Sequence, residues 1–179
     1  MASFEFVKRK RKKVVLVEPK APDLHIFSFY PLPRLGTILL ATIMKKRGFE
    51  AVVLAEEVAP IRMADFDDAC LVGISTTTST ANRAYGLADT LRERGIPVAM
   101  GGPHVTYLPD EALQHADYVV LGEGENIFPT LCEAVYEGET PPDMPGLLSA
   151  GHRPSTIDHR PSRQPFVADL DSLPIPDLN

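Results

Sequence analysis

Three clusters of small and polar residues have types that suit holding a ligand: Ser75-Thr76-Thr77-Thr78-Ser79-Thr80, Gly101-Gly102-Pro103-His104 and Gly122-Glu123-Gly124-Glu125. Hydroxyls exchange hydrogen bonds with amides and phosphates, and glycines let the backbone come close to a flat or bulky group. Each cluster also has a purely structural reading. A Ser or Thr can cap the helix that follows, although one cap uses one hydroxyl and here there is a whole run. Gly101 and Gly102 can serve a tight turn, and Gly122–Glu125 can be a strand-to-helix turn with acids at a helix N-terminus. Machinery for covalent change is missing. No nucleophile–base pair is recognisable, and there is no Walker A sequence. No G-x-G-x-x-G follows the first strand. A flavodoxin-type phosphate loop would follow the first strand, whereas the hydroxyl run follows the third. A receiver domain would want an acid where Ser75 stands. The histidines and cysteines show no metal-ligand spacing. His115 and Cys132 read as a helix-end cation and a buried small residue. The rim is built to hold something rather than to transform it.

The elements that must position these clusters alternate regularly. Val14-Val15-Leu16-Val17 is a continuous apolar run, the pattern of a strand buried on both faces. Leu35, Ile38, Leu39 and Ile43 recur at helical spacing, and Lys45-Lys46-Arg47-Gly48 carries helix stop signals. Ala51–Leu54 and Cys70–Ile74 are the next strands. Ala84, Leu87, Ala88 and Leu91 predict a helix that Gly95 ends. Val98–Met100 is a fourth strand, Pro109-Asp110-Glu111 opens a short helix, and Tyr118–Leu121 is a fifth strand. A last helix carries Ile127, Leu131, Ala134 and Val135 and stops at Gly138. This order predicts an α/β fold: a five-stranded parallel sheet, flavodoxin-like and Rossmann-like, in order 2-1-3-4-5, with helices on both faces. The three clusters all fall at the carboxyl ends of strands, where open α/β sheets bind ligands.

Composition sets the outer bounds. The chain has 179 residues, 44% of them apolar and 23% charged, which suits a single core and excludes a disordered chain. The longest mostly apolar stretch, Leu35–Met44, is far short of the roughly 20 residues that span a bilayer. No signal peptide is recognisable, so a cytoplasmic protein without membrane contact is expected. Six of the 18 basic residues sit in Lys8–Lys13, which leaves 12 basic against 23 acidic residues in 14–179. A basic run ahead of an acidic body reads as a solvated leader (1–13) rather than a nucleic-acid arm. Eight of the 17 prolines fall in 141–179, a density at which no regular core element is expected. The organisation predicted is therefore a leader, a domain over 14–138 and a proline-rich extension over 139–179.

The strings Gly101-Gly102-Pro103-His104-Val105-Thr106, Pro109-Asp110-Glu111-Ala112-Leu113 and Ala116–Glu125 resemble the N-terminal cobalamin-binding domain of B12-dependent radical S-adenosylmethionine enzymes. Val72-Gly73-Ile74-Ser75 and the helix start at Pro33–Ala41 agree, and Asp169–Pro176 resembles the linker toward the radical domain. The resemblance implies a corrinoid lying flat against the carboxyl ends of the strands, its nucleotide tail reaching into the rim. Ser75, Thr76 and Thr77 would hydrogen-bond the tail. Gly101, Gly102 and Pro103, with His104 beside them, would let it pass close to backbone, and Gly122, Glu123 and Gly124 would line the far wall. A change of Gly102 to Val is then expected to abolish binding and leave the fold intact.

Two departures from the family pattern shape the expectation. The three-cysteine motif C-x3-C-x2-C of the radical domain is absent, so S-adenosylmethionine and a 4Fe-4S cluster would belong to a radical domain in cis or in trans. The chain by itself is expected not to be catalytic. Its parent or partner would carry out methyl transfer, cyclisation or ring contraction, and a fragment, a truncated gene or a separate subunit all fit. The second departure lies at Asp23-Leu24-His25-Ile26-Phe27-Ser28, where many cobalamin proteins have Asp-x-His-x-x-Gly. It ends in Ser, and His25 reads as a loop histidine rather than as the cobalt ligand. The rival to cofactor binding is a cofactor-free docking module on the same fold.

Overall fold

Uninterrupted aliphatic and β-branched runs make the strands of this protein, and the amphipathic segments between them make the helices. The structure is a computed structural model that describes residues 11–22, 34–151, 167 and 169–178. In chain order the elements are β1 (Lys13–Glu18), α1 (Leu35–Lys46), β2 (Glu50–Ala55), β3 (Ala69–Ser75) and α2 (Ala81–Glu93). They continue with β4 (Val98–Gly101), α3 (Pro103–Tyr107), α4 (Pro109–His115), β5 (Tyr118–Val120), α5 (Ile127–Glu137) and β6 (Leu147–Ser149). Single 3₁₀ turns form at Met63–Phe66, Thr78–Thr80 and Leu170–Ser172.

The sheet order is β2-β1-β3-β4-β5-β6, so the predicted 2-1-3-4-5 arrangement holds. All neighbours run parallel except β6, which lies antiparallel on β5. The strand count is corrected from five to six, and the added strand falls inside the proline-rich stretch. Pro141, Pro142 and Pro145 all precede it, leaving Leu147–Ser149 with their N–H groups for the ladder. Leu147 and Leu148 are only 5% and 2% exposed, so this short strand closes the core at the β5 edge.

Successive side chains of each strand point to opposite faces, and this divides the core into two layers. Val15, Val17, Val72, Ile74, Val98 and Met100 pack with α2, α3 and α4. Val14, Leu16, Leu71, Ala99 and Val120 pack with α1 and α5. Gly73 sits under the second layer, where a Cβ would come within 2.8 Å of both Leu16 and Phe128. The predicted stops at Gly48 and Gly95 adopt φ of 79° and 71°, and Gly138 ends α5 at 75°. Cys132 is fully buried, and burial pushes its thiol pKa well up. His115 ends α4 and pairs with Asp89 at 2.9 Å. No helix among the described residues is long and apolar enough to cross a membrane.

Candidate cofactor-binding rim

The β3–β4 register sets Ser75 beside Gly101, so the hydroxyl run and the glycine pair leave the sheet as neighbours. The two loops then stay locked together. Thr76 N donates to Gly101 O at 2.8 Å, and His104 N donates to Thr76 O at 3.2 Å. Gly102 adopts φ 98°, ψ 177°, a region open almost only to glycine. A Cβ there would lie 2.7 Å from Thr76 O and 2.9 Å from Thr76 N. The expectation that Gly102→Val spares the fold is therefore corrected: the space beside Gly102 is filled by the protein's own backbone.

Most of the hydroxyl run is committed to structure. Thr77 N donates to Thr80 Oγ1 at 3.1 Å, and Thr77 Oγ1 lies 3.2 Å from Ser79 Oγ, closing the 3₁₀ turn ahead of α2. Ser75 Oγ accepts from the Arg34 guanidinium at 3.1 Å. Thr78 Oγ1 lies 3.2 Å from His104 Nδ1. Thr76 differs. It is 0% exposed, and its hydroxyl has no hydrogen-bond partner among the described residues. A buried polar group left in that state costs about 1–3 kcal/mol.

On the β1 side a buried carboxylate organises the switch point between β1 and β3. Glu18, 5% exposed, ends β1 and accepts from Arg34 N at 2.8 and 2.9 Å and from the Thr37 hydroxyl. Negative charge is favoured there by the first turn of α1. Arg34 in turn reaches Ser75 O at 3.2 Å, which joins the ends of β1 and β3 to the start of α1. Sequence reading missed Glu18 and Arg34. The available signal was a lone carboxylate closing an otherwise aliphatic strand.

On the β5 side Thr106 is the link. Its hydroxyl donates to Gly102 O at 3.0 Å and accepts from Gly122 N at 3.1 Å. Pro103 opens α3, the short helix that carries Thr106 and His104. Glu123 and Gly124 turn elsewhere. The Glu123 carboxylate accepts from Val167 N, and a Cβ at Gly124 would meet Leu40 at 3.5 Å in the α1–α5 layer. Ser75, Thr76, Gly101, Gly102, His104 and Gly122 thus form one hydrogen-bonded unit with Arg34 and Thr106, while Thr77 bonds within its own turn. His25 lies outside the described residues. A separate groove of about 840 Å³ runs along the free edge of β2, lined by Ala51–Ala55, Ile38, Pro60 and Leu178, and takes in none of the rim clusters.

A family model described as "B12 binding domain" matches residues 28–132 of this chain. The chain belongs to the B12 binding domain family. The family match contains all ten rim residues singled out from the sequence, while β1 lies before it and β6 after it. Among curated proteins this B12 binding domain is similar to the bacteriochlorophyllide d C-12(1)-methyltransferase of Chlorobaculum tepidum, at 30% identity over 80% of the chain and 35% of that protein. The C-8(2)-methyltransferase of the same organism is 45% identical over 40% of the chain and 15% of its own length. An uncharacterized methyltransferase of Pyrococcus horikoshii is 30% identical over 80% of the chain and 33% of that protein. The chain therefore spans about a third or less of the length of these curated relatives.

Solved structures share the fold. The radical S-adenosylmethionine methyltransferase TsrM of Kitasatospora setae, with cobalamin and a [4Fe-4S] cluster bound, superposes with a TM-score of 0.59 at 22% identity, over 78% of this chain and 27% of that one. The cobalamin-dependent S-adenosylmethionine radical enzyme OxsB, with aqua-cobalamin bound, gives 0.59 at 18% identity, over 77% of this chain and 20% of that one.

Proposed function

We propose that this chain binds cobalamin across the carboxyl ends of β1, β3, β4 and β5 and presents it to a radical S-adenosylmethionine catalytic domain, in cis or in trans, for methyl transfer. The observation that carries this reading is the Thr76 hydroxyl, wholly buried at the junction of the β3 and β4 loops and without a partner among the described residues. A corrinoid's nucleotide tail brings the phosphate and amide groups that such a hydroxyl lacks. The residues present fit the group. Thr76 would hydrogen-bond the tail, with Thr77 in the turn beside it, Ser75 and Gly101 would lie beneath it, and Gly102 and Pro103 hold the β4 loop close against Thr76. Gly122 would form the far wall and His104 would brace the near one, while Glu123 and Gly124, which turn away, would take no direct part.

Bound cobalamin supplies a cobalt centre suited to carrying alkyl groups. The chain's own part is to hold and orient. The Glu18–Arg34–Ser75 chain fixes the β3 loop from the side of β1, and Thr106 fixes the β4 and β5 loops relative to each other. Support for the radical partner comes from the relatives, which are methyltransferases of more than twice this length. Support also comes from the two radical enzymes that share the fold.

Titration of the purified chain with hydroxocobalamin, followed by desalting and an absorbance spectrum, tests the reading. Retained, near-stoichiometric corrinoid is expected. A folded but colourless protein would overturn it and favour the docking module.

A further inference from the structure

The histidine of the Gly-Gly-Pro-His string has no ring atom to offer a ligand. His104 is 8% exposed, and its two nitrogens are both engaged: Nδ1 lies 3.2 Å from Thr78 Oγ1 and Nε2 3.1 Å from the Tyr85 hydroxyl. Glu111 faces the same nitrogen, with Oε1 3.9 Å from Nε2. On the other side Tyr85 stacks on His115 at 4.4 Å and 13°, and His115 pairs with Asp89 at 2.9 Å. Burial, together with the charge and hydrogen bond of Glu111, holds the Tyr85 phenol well above its ordinary pKa. The ring thus exchanges one hydrogen bond with the Tyr85 hydroxyl through Nε2 and one with the Thr78 hydroxyl through Nδ1, whichever nitrogen carries the proton.

The geometry of the loop gives this bond a purpose. The Ser75–Thr80 run is pinned at its start by Arg34, from the side of β1, and at Thr78 by His104, from the side of β4. Thr76, with its unpartnered hydroxyl, lies between the two pins. We propose that His104 is a positioning residue for the cofactor. Its ring holds Thr78, and so fixes the β3 loop around the buried Thr76 hydroxyl that the corrinoid tail would have to reach. This inference rests on the cobalamin reading.

The test separates the two ring nitrogens. Asn at 104 places an amide oxygen near the position of Nδ1, and Gln places an amide nitrogen near that of Nε2. His104→Asn therefore keeps the Thr78 bond and loses the Tyr85 bond, while His104→Gln does the reverse. Hydroxocobalamin affinity is expected to fall about fivefold to tenfold in His104→Gln and in Thr78→Val. It is expected to stay near wild type in His104→Asn. Thr78→Val strands a nitrogen of the buried His104, so its melting curve is recorded beside the affinity to show that the variant is folded. Wild-type affinity in Thr78→Val, or equal losses in the Asn and Gln variants, would each overturn the positioning role while leaving cobalamin binding intact. A wild-type chain that retains no corrinoid would overturn both.

Discussion

The two rims of the sheet use glycine for different reasons. At the amino end, Gly48 and Gly95 have positive φ and nothing within 4 Å of where a Cβ would sit. They are helix stops, needed for conformation alone. At the carboxyl end, Gly102 combines positive φ with a Cβ position 2.7 Å from Thr76 O. The polar groups divide in the same way. Arg47 and Glu133 form an exposed pair at the amino end, whereas Glu18, Arg34 and Thr76 at the carboxyl end are buried or half-buried. A rim whose glycines are crowded and whose polar atoms are buried is one shaped by tertiary fit. The opposite rim is shaped by local turns.

The sharpest way to break this comparison is to add a methyl group on each side. Gly102→Ala should lose about 3 kcal/mol from backbone strain and collision, a fall in Tm of about 6–12 °C. Gly95→Ala should lose about 1–2 kcal/mol, since only the left-handed backbone opposes it. Equal losses in the two melting curves would remove the distinction.

A smaller effect of opposite sign is expected at Thr76. Thr76→Val deletes a buried hydroxyl that has no partner, so the cofactor-free protein should gain about 1 kcal/mol. The same variant should retain less hydroxocobalamin after desalting. Stabilisation without loss of binding would mean that the hydroxyl is unsatisfied for no functional reason.

The smallest effects are electrostatic. Glu56, just beyond β2 on the carboxyl side, is held below its ordinary pKa of 4.5. Burial opposes this, but hydrogen bonds from Arg83, at 2.6 Å, and from Lys20 N outweigh it. A carboxyl with a lower pKa in the folded chain binds its proton more tightly when unfolded. Its stabilising effect is therefore full at neutral pH, shrinks as pH falls past 4.5 and is gone below the folded value. Glu56→Gln should flatten the acid limb of stability against pH. Glu133→Gln at the amino rim should change stability by about 0–1 kcal/mol and only at low salt.

Much of the fold was legible because it rests on local patterns. The run at Val14–Val17, the helical spacing of Ala84, Leu87, Ala88 and Leu91, and the stops at Gly48 and Gly95 are each set by residues within one element. β6 was not legible. Three residues have no period of their own, and their pairing with Val120, Val119 and Tyr118 is a long-range event. Helix α3 hid inside Gly-Gly-Pro-His for a related reason, since a five-residue helix depends on what it packs against.

The candidate site divides along the same line. The sequence by itself determined which loops reach the carboxyl rim, because strand order and the right-handed crossover follow from alternating hydrophobic patterns. It also determined that these loops would be rich in glycine and hydroxyls. Only the tertiary structure decided what each of those groups does. It assigned Ser75 to Arg34, Thr77 to its own turn, Thr78 to His104 and Gly122 to Thr106, and it left the Thr76 hydroxyl without a partner among the described residues. A hydroxyl's residue type states only that it can bond. Which bond it makes depends on neighbours that folding brings from 16 to 41 residues away.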